Sequence, residues 1–366
     1  MESIINSVLN EKKAISEKPS YMVAKLSDSI KDKEKKEFEL ASRVRISVIG
    51  VGGAGCNAVT RLFSEGIESA KTFAINTDSR HLHTVAKAHE KFLLGKNFTR
   101  GMGAGGDAAV GKKCAECDRE ELTRLIGDNE IVFIAAGMGG GTGAGASPVI
   151  ARIAKEHGAM VIGIVTFPFR LERIRIKKAQ ESIRELLQEV DTLIIIDNNK
   201  LAEFAPNLPL DAAFKLADSI MARAVRGLTD SIMVPSLINI DYADVRSVLR
   251  NKGIAMISLG EGVGPSRVEE AIRNTLTHPL LEVDYEDAKG AIVHIEGSEG
   301  LTLGEAIMIG NEITKSFDPN SEVKLGARVN DTLNDRIIVT AIITGVKSPS
   351  ILKSGKEGEN ENALVL

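Results

Sequence analysis

From residue 44 onward the chain alternates short β-branched runs with stretches of helical period. RISVIG leads into CNAVTRLFSEG, and KTFAIN, DREELTRLIG, EIVFIAAG, SPVIARIAKEHG, MVIGIVTFPF, KKAQESIRELLQEV and TLIIID follow. Strands alternating with helices predict a parallel sheet covered on both faces, and the Gly that closes several of the helical stretches is a stop signal. Next comes LPLDAAFKLADSIMARAVRG, in which Leu210, Ala213, Phe214, Ala217, Met221, Ala224 and Val225 keep helical spacing and predict one buried helix. Beyond it the strand-like runs GIAMISLG, GAIVHIEG, SEVKLGARV and DRIIVTAIITGV enclose two helices. Capping boxes at Ser266-Arg267-Val268-Glu269 and Thr302-Leu303-Gly304-Glu305 are expected to open those helices.

The fold class expected is α/β, a Rossmann-like parallel-sheet domain joined by a long central helix to a smaller α+β domain. The boundaries read as 1–43 for a charged arm, 44–206 for the first domain, 207–230 for the central helix, 231–346 for the second domain and 347–366 for a polar tail. The arm (SDSIKDKEKKEFELAS) and the tail (KSPSILKSGKEGENENALVL) have the composition of exposed, disordered segments. Within the arm, Ile4, Ile5, Val8 and Leu9 form one small apolar face, read as a frayed terminal helix or as a contact for a membrane or partner.

At 366 residues and 43% hydrophobic, the chain can bury the cores of two domains. A net charge of −4 and a pI near 6.0 offer no general attraction for nucleic acid. No stretch approaches the roughly 20 apolar residues that span a bilayer, and the start lacks the regions of a signal peptide, so a cytoplasmic protein is expected. Three cysteines argue against a disulfide framework. Cys114 and Cys117 form a C-x-x-C without a second ligand pair, which reads as two thiols on one helix face, and His81 and His83 have no third partner for a metal. No metal site is expected.

Residues 50–55, GVGGAG, follow a strand and fit G-x-G-x-x-G, the dinucleotide fingerprint, and Asp78 stands where an acid would hold the ribose. Alone, this favours NAD. A second glycine loop, 137–148 (GMGGGTGAGASP), follows the strand at 131–135 and precedes a helix, and a third, GMGAGGD, lies at 101–107. So many glycines cost backbone entropy and pack nothing; what they permit is a run of open amides at a helix N-terminus, a nest for phosphate oxygens. Three loops suit a nucleoside triphosphate better than a dinucleotide. GDAAVGKK at 106–113 nearly fits a P-loop but has Lys113 in place of the hydroxyl and no buried strand before it, so it is read as a decoy.

GMGGGTG after a hydrophobic strand resembles the signature of the tubulin and FtsZ superfamily. GVGGAGCNAV, NTD, GMGAGGD, GMGGGTGAGASP, TFPF, NIDYADVR and the closing VTAIITGV extend that likeness, in order, over about residues 44–346. It is nearest to FtsZ of archaeal type, because LERIR at 171–175 departs from the glycine-containing bacterial segment. The resemblance implies a GTPase that binds GTP or GDP with Mg2+, the ion held mainly by phosphates and water, and that polymerises head to tail in the division ring. By matching positions it implies phosphate contacts from Gly52, Gly53, Ala54, Gly55, Cys56 and Asn57, and from Asn76 in NTD. Ala104, Gly105 and Gly106 would lie near the γ-phosphate, with Gly139, Gly140, Gly141, Thr142 and Gly143 as the main phosphate loop. Glu172 would contact the ribose with Arg175 beside it, Asn198 the base or ribose, and Phe214 and Asp218 the base. A carboxylate there accepts from guanine N1–H and the 2-amino group, donors that adenine lacks. Core packing is the other reading of Phe214.

In Asn239-Ile240-Asp241-Tyr242-Ala243-Asp244, spacing favours Asp241 as a helix N-cap with Asp244 in the first turn. The resemblance instead makes Asn239, Asp241 and Asp244 the loop that reaches the nucleotide of the next subunit and orients the attacking water. It also leaves a membrane-anchoring adaptor, met by the tail or the arm, as an expected partner at the division site. The rivals are a tubulin-like filament for cell shape or DNA segregation, a Rossmann oxidoreductase that binds NAD, and a nucleotide-binding regulator that does not hydrolyse.

Overall fold

The computed structural model describes residues 44–346, apart from 205–206, 208, 235, 251–252, 278–287 and 299. The arm at 1–43 and the tail at 347–366 therefore lie outside the described residues, as do the side chains of Leu210 and Ala213. The strands are β1 (Ile46–Val51), β2 (Lys71–Asn76), β3 (Glu90–Leu93), β4 (Ile131–Gly137), β5 (Met160–Phe167), β6 (Thr192–Asp197), β7 (Gly253–Val263), β8 (Gly290–Gly297), β9 (Glu322–Val329) and β10 (Arg336–Thr344). They form one sheet in the order 3-2-1-4-5-6-7-10-8-9. The first six strands are parallel, and β10 runs antiparallel to both β7 and β8.

The helices are α1 (Gly52–Ser64), α2 (Ser79–Thr84), α3 (Lys96–Thr99), α4 (Ala108–Cys117), α5 (Arg119–Ile126), α6 (Thr142–Glu156), α7 (Ile174–Glu189), α8 (Asn198–Phe204), α9 (Leu210–Met233), α10 (Tyr242–Leu249), α11 (Arg267–Leu276) and α12 (Leu303–Thr314). Consecutive strand residues enter opposite cores. Val48, Phe133 and Ile164 pack with Leu62 of α1 and with Met221 and Val225 of α9. Ile49, Ile134 and Val165 pack with Leu122, Val149 and Ile183 on the other face. Burial on both faces is why these strands read as unbroken apolar runs rather than as alternation.

The short parallel pairing of 192–194 in β6 with 253–255 in β7 carries the sheet into its second half. Helix α9 lies across both halves, since Ile292 of β8 and Ile342 of β10 share the core that holds Met221. It runs on to Met233, beyond the predicted stretch. Ala217, Met221, Ala224 and Val225 are buried as the periodicity predicts, but Phe214 is 44% exposed.

Of the two expected capping boxes, only Thr302 and Glu305 form one, with Glu305 N donating to Thr302 Oγ1 at 3.2 Å and Thr302 N to Glu305 Oε2 at 2.8 Å. Ser266 makes no side-chain cap because it ends a 3-10 turn, Gly264–Ser266, with ψ already at 19°. Glu270, not Glu269, reaches back there and accepts from Val263 N at 3.1 Å. The GDAAVGKK segment becomes helix α4, capped by Asp107, which accepts from Ala109 N at 2.9 Å. Within α4, Cys114 is buried and Cys117 exposed.

Candidate functional site

The strand order 3-2-1-4-5-6 reverses direction between β1 and β4, and the carboxyl ends of both strands feed glycine loops. A ligand crevice is expected at such a switch point. Helix α1 starts at Gly52, immediately after β1, and α6 starts at Thr142, after the second loop. The two loops touch: a Cβ on Gly52, at φ +73°, would lie 2.8 Å from Gly143 N. Gly55 is fixed by a different need, since a Cβ there would stand 2.1 Å from the Ala135 carbonyl oxygen of β4. Two helix N-termini thus aim unpartnered amides and positive dipole ends into one cleft, an arrangement suited to several phosphate oxygens.

Gly52, Gly53 and Ala54 line one wall of the cleft, and Gly140, Gly141, Thr142 and Gly143 the other. Gly139 is buried behind that wall with φ +82°, and a Cβ would meet the Arg175 carbonyl oxygen at 2.6 Å. Cys56 is also buried, its thiol facing the Gly50 and Ile75 carbonyls, and burial pushes it up to about 12, so it is not a nucleophile at neutral pH.

At one end the cleft is lined by Glu172, Arg175, Asn198, Phe214 and Asp218. Glu172 pairs with Arg175 at 2.5 Å while its other oxygen accepts from Phe169 N at 3.0 Å. Phe169 in turn meets the Phe214 ring edge-on, centroids 5.5 Å apart, and so orients a ring that is otherwise open to the cleft. Asn198 is 6% exposed, and its Oδ1 has no partner among the described residues. A buried amide oxygen left unpaired costs free energy, so this one fits a ligand that donates to it. Burial pushes the Asp218 carboxyl up to about 6, against the opposing pull of Arg61.

At the other end the lining is Asn76, Asp78, His81, Gly103, Ala104 and Gly106, and Gly53, Gly140, Gly141, Thr142 and Arg175 border both ends, so the cleft is continuous. Thr77 and Thr142 join their hydroxyls at 2.6 Å, tying the end of β2 to α6. Lys178 of α7 donates to the Gly106 carbonyl at 2.7 Å, holding the third loop against the cleft, with Gly105 exposed at its lip. Asn57 is set back on α1 and touches this end through His81.

His81 and Lys178 are not legible as site residues in the sequence, and Asp78 is legible only in another role. Asp78 fits a ribose contact only in a dinucleotide site; here it caps α2, accepting from His81 N at 3.0 Å. The signal for His81 was its place in the first turn of that helix.

Asn239, Asp241 and Asp244 do not line the cleft of their own chain. Asp241 caps α10, accepting from Asp244 N at 2.7 Å, while Asp244 accepts back from Asp241 N at 3.3 Å. Asn239 Oδ1 accepts from Ser236 N at 2.7 Å, and Ile238 bridges to Ala327 of β9, so the segment is fixed while Asn239 and Asp241 stay exposed. Among the described residues no group of three or more His, Cys, Asp or Glu is placed to hold a metal ion.

Residues 45–206 match the GTPase domain of the Tubulin/FtsZ family, and 253–347 match the C-terminal domain of the FtsZ family. The chain belongs to the FtsZ family. Cell division protein FtsZ 2 of Methanocaldococcus jannaschii is 52% identical over 311 residues, covering 84% of this chain and 82% of that one. Cell division protein FtsZ 1 of the same organism is 45% identical over 321 residues, 87% of this chain and 88% of that one. A solved structure described as an empty FtsZ dimer of M. jannaschii superposes with a TM-score of 0.82 at 42% identity, covering 90% of this chain and 99% of that one. As an FtsZ-family GTPase, the chain binds a guanine nucleotide rather than a dinucleotide. The oxidoreductase reading of GVGGAG falls with that.

Proposed function

We propose that this GTPase polymerises head to tail, hydrolyses GTP between subunits, and forms filaments that act in the cytoplasm at the division site. The observation that carries the reading is the separation within one chain of the glycine-lined cleft from the acidic pair of exposed Asp241 and half-buried Asp244. A head-to-tail contact that does not close generates an open filament and brings the acids of one copy to the cleft of the next.

In this reading Phe214 covers the purine face, and the Asp218 carboxylate accepts from guanine N1–H and the 2-amino group. The Asn198 Oδ1 accepts from the base or ribose, and Glu172, steadied by Arg175, accepts from ribose hydroxyls. The amides at the starts of α1 and α6 take the phosphates, with Ala104, Gly105 and Gly106 around the terminal one. A Mg2+ ion bound along with the nucleotide would neutralise phosphate charge. Asp241 and Asp244 of a second copy orient the attacking water, with Asn239 beside them; phosphoryl transfer needs little more than alignment and charge neutralisation. Residues 44–206 act as the nucleotide domain, 207–230 as the connecting helix and 231–346 as the activating domain, with an adaptor on the arm or tail for membrane attachment. Among the described residues no helix is long and apolar enough to cross a membrane.

The test is sedimentation and phosphate release with GTP, ATP or NAD in Mg2+ as protein concentration is varied. Cooperative, GTP-only turnover above a critical concentration is expected. Full turnover by dilute, unassembled protein would overturn the reading.

A further inference from the structure

The imidazole of His81 bridges two carboxamides at the end of the cleft opposite Phe214. Its Nε2 lies 3.1 Å from Asn57 Oδ1 and its Nδ1 lies 3.3 Å from Asn76 Nδ2. Asn76 is 3% exposed at the end of β2, and its Oδ1 accepts from Asp78 N at 3.3 Å. That contact fixes which way the Asn76 carboxamide faces, because its oxygen is committed to a backbone donor. The Nδ2 group must then meet His81, and only an unprotonated Nδ1 can accept from it. The remaining proton therefore sits on Nε2, where Asn57 Oδ1 receives it. Every atom of the bridge has one consistent role, and the ring is held further by the backbone, since His81 N donates to the Asp78 carboxylate that caps α2.

Asn76, Asp78 and His81 line the same end of the cleft as Ala104 and Gly106. An Asn76 carboxamide with one N–H on His81 keeps its second N–H for a ligand, and an oriented amide donor is worth most against an anionic oxygen. A rotated carboxamide would present its oxygen to the phosphate instead, turning attraction into repulsion.

We propose that His81 is a positioning residue for the terminal phosphate: by accepting from Asn76 and donating to Asn57, it holds the Asn76 amide as a donor to the γ-phosphate and thereby sets the preference for GTP over GDP. The inference rests on the GTPase reading above and adds to it a residue that acts through another. His81 itself makes no contact with the reacting atoms.

The full chain is compared with His81→Leu and His81→Asn. Asparagine restores an acceptor at the Nδ1 position; leucine fills the space without one. Titration of GTP and of GDP onto protein below its assembly concentration is expected to show His81→Leu weakening GTP about tenfold and GDP by less than about twofold, since one hydrogen bond to a charged group is removed. His81→Asn is expected to return the GTP-to-GDP ratio to within about threefold of wild type, the partial value reflecting loss of the Asn57 anchor. Equal weakening of both nucleotides by His81→Leu, or an Asn variant no better than the Leu variant, would overturn the proposal. Wild-type protein that binds no GTP would overturn the GTPase reading itself, so the two failures are distinguishable.

Discussion

The Asp244 carboxylate lies 2.8 Å from the Lys324 ammonium, joining the first turn of α10 to β9. With Asp241 at the N-cap and Asn239 accepting from Ser236 N, the acidic segment is locked on the second half of the sheet rather than free to fold back onto its own cleft. The hydrogen bond from Lys324 holds the Asp244 carboxyl below its ordinary range. A carboxyl lowered in the folded state stabilises the fold above its unfolded value and loses that contribution only as pH falls through the lowered one. Asp244 is therefore ionised across the neutral range and into mild acid.

Replacing these acids separates capping from catalysis. Asp241→Asn keeps a side-chain oxygen for the Asp244 amide, so helix stability should change by only a few tenths of a kcal/mol, whereas Asp241→Ala should lose about 1 kcal/mol. Both, with Asp244→Ala, should keep GTP binding and filament formation while phosphate release falls about a hundredfold or more, the scale of a lost proton-handling or water-orienting group. Urea unfolding, sedimentation and phosphate release read the three effects apart. Full turnover in Asp241→Asn would remove that residue from the chemistry.

The acid limit of nucleotide binding should come from Asp218. Burial raises its carboxyl to about 6, so the ionised acceptor proposed for guanine is present above that pH and is titrated away below it. GDP affinity, measured by fluorescence titration between pH 5 and 8 at constant salt, should fall as pH drops through about 6. In the empty protein the sign for stability is the reverse: a carboxyl raised on folding favours the fold at low pH and costs it as pH rises through the folded value. Asp218→Asn should flatten both dependences and weaken guanine binding at neutral pH.

Phe214 is 44% exposed and meets Phe169 edge-on, so Phe214→Ala should cost little stability, under about 1 kcal/mol, where a core Phe→Ala costs about 3–5. Nucleotide affinity should drop about tenfold through loss of the stacked base. Melting in the absence of nucleotide, set beside a binding titration, checks this. A large drop in melting temperature with unchanged affinity would make Phe214 a packing residue.

Local chemistry explains how far the sequence could be read. The strand, turn and helix around Gly52 are legible because Gly50, Gly52 and Gly55 each answer a nearby steric demand, and the apolar runs follow directly from burial on both faces. Phe214 departs from the periodicity because its helical position is that of a core residue, and the cleft beside the end of β5 leaves that position as an exposed cleft wall. Ser266 failed as a cap because the turn Gly264–Ser266 is set by the chain before it, outside the four-residue motif. The pairing of β6 with β7 and the reach of His81 to Asn57, 24 positions away, both join residues distant in the chain. No local pattern encodes such contacts, so a histidine with no neighbouring ligand looked idle.

The first phosphate loop offers two glycines with opposite demands. A Cβ at Gly55 would stand 2.1 Å from the Ala135 carbonyl oxygen, so Gly55→Ala must push α1 off β4 and should cost about 3 kcal/mol or prevent folding. A Cβ at Gly53 meets nothing within 4 Å, so Gly53→Ala should fold with the stability of the parent or slightly more, because alanine restricts the unfolded chain. Yet Gly53 borders both ends of the cleft, where a methyl group would stand between the helix N-terminus and a phosphate. Gly53→Ala is therefore expected to keep its melting temperature in the absence of nucleotide and to bind GTP at least about tenfold more weakly. Unchanged GTP affinity in a stable Gly53→Ala protein would mean that the phosphates do not rest on the start of α1.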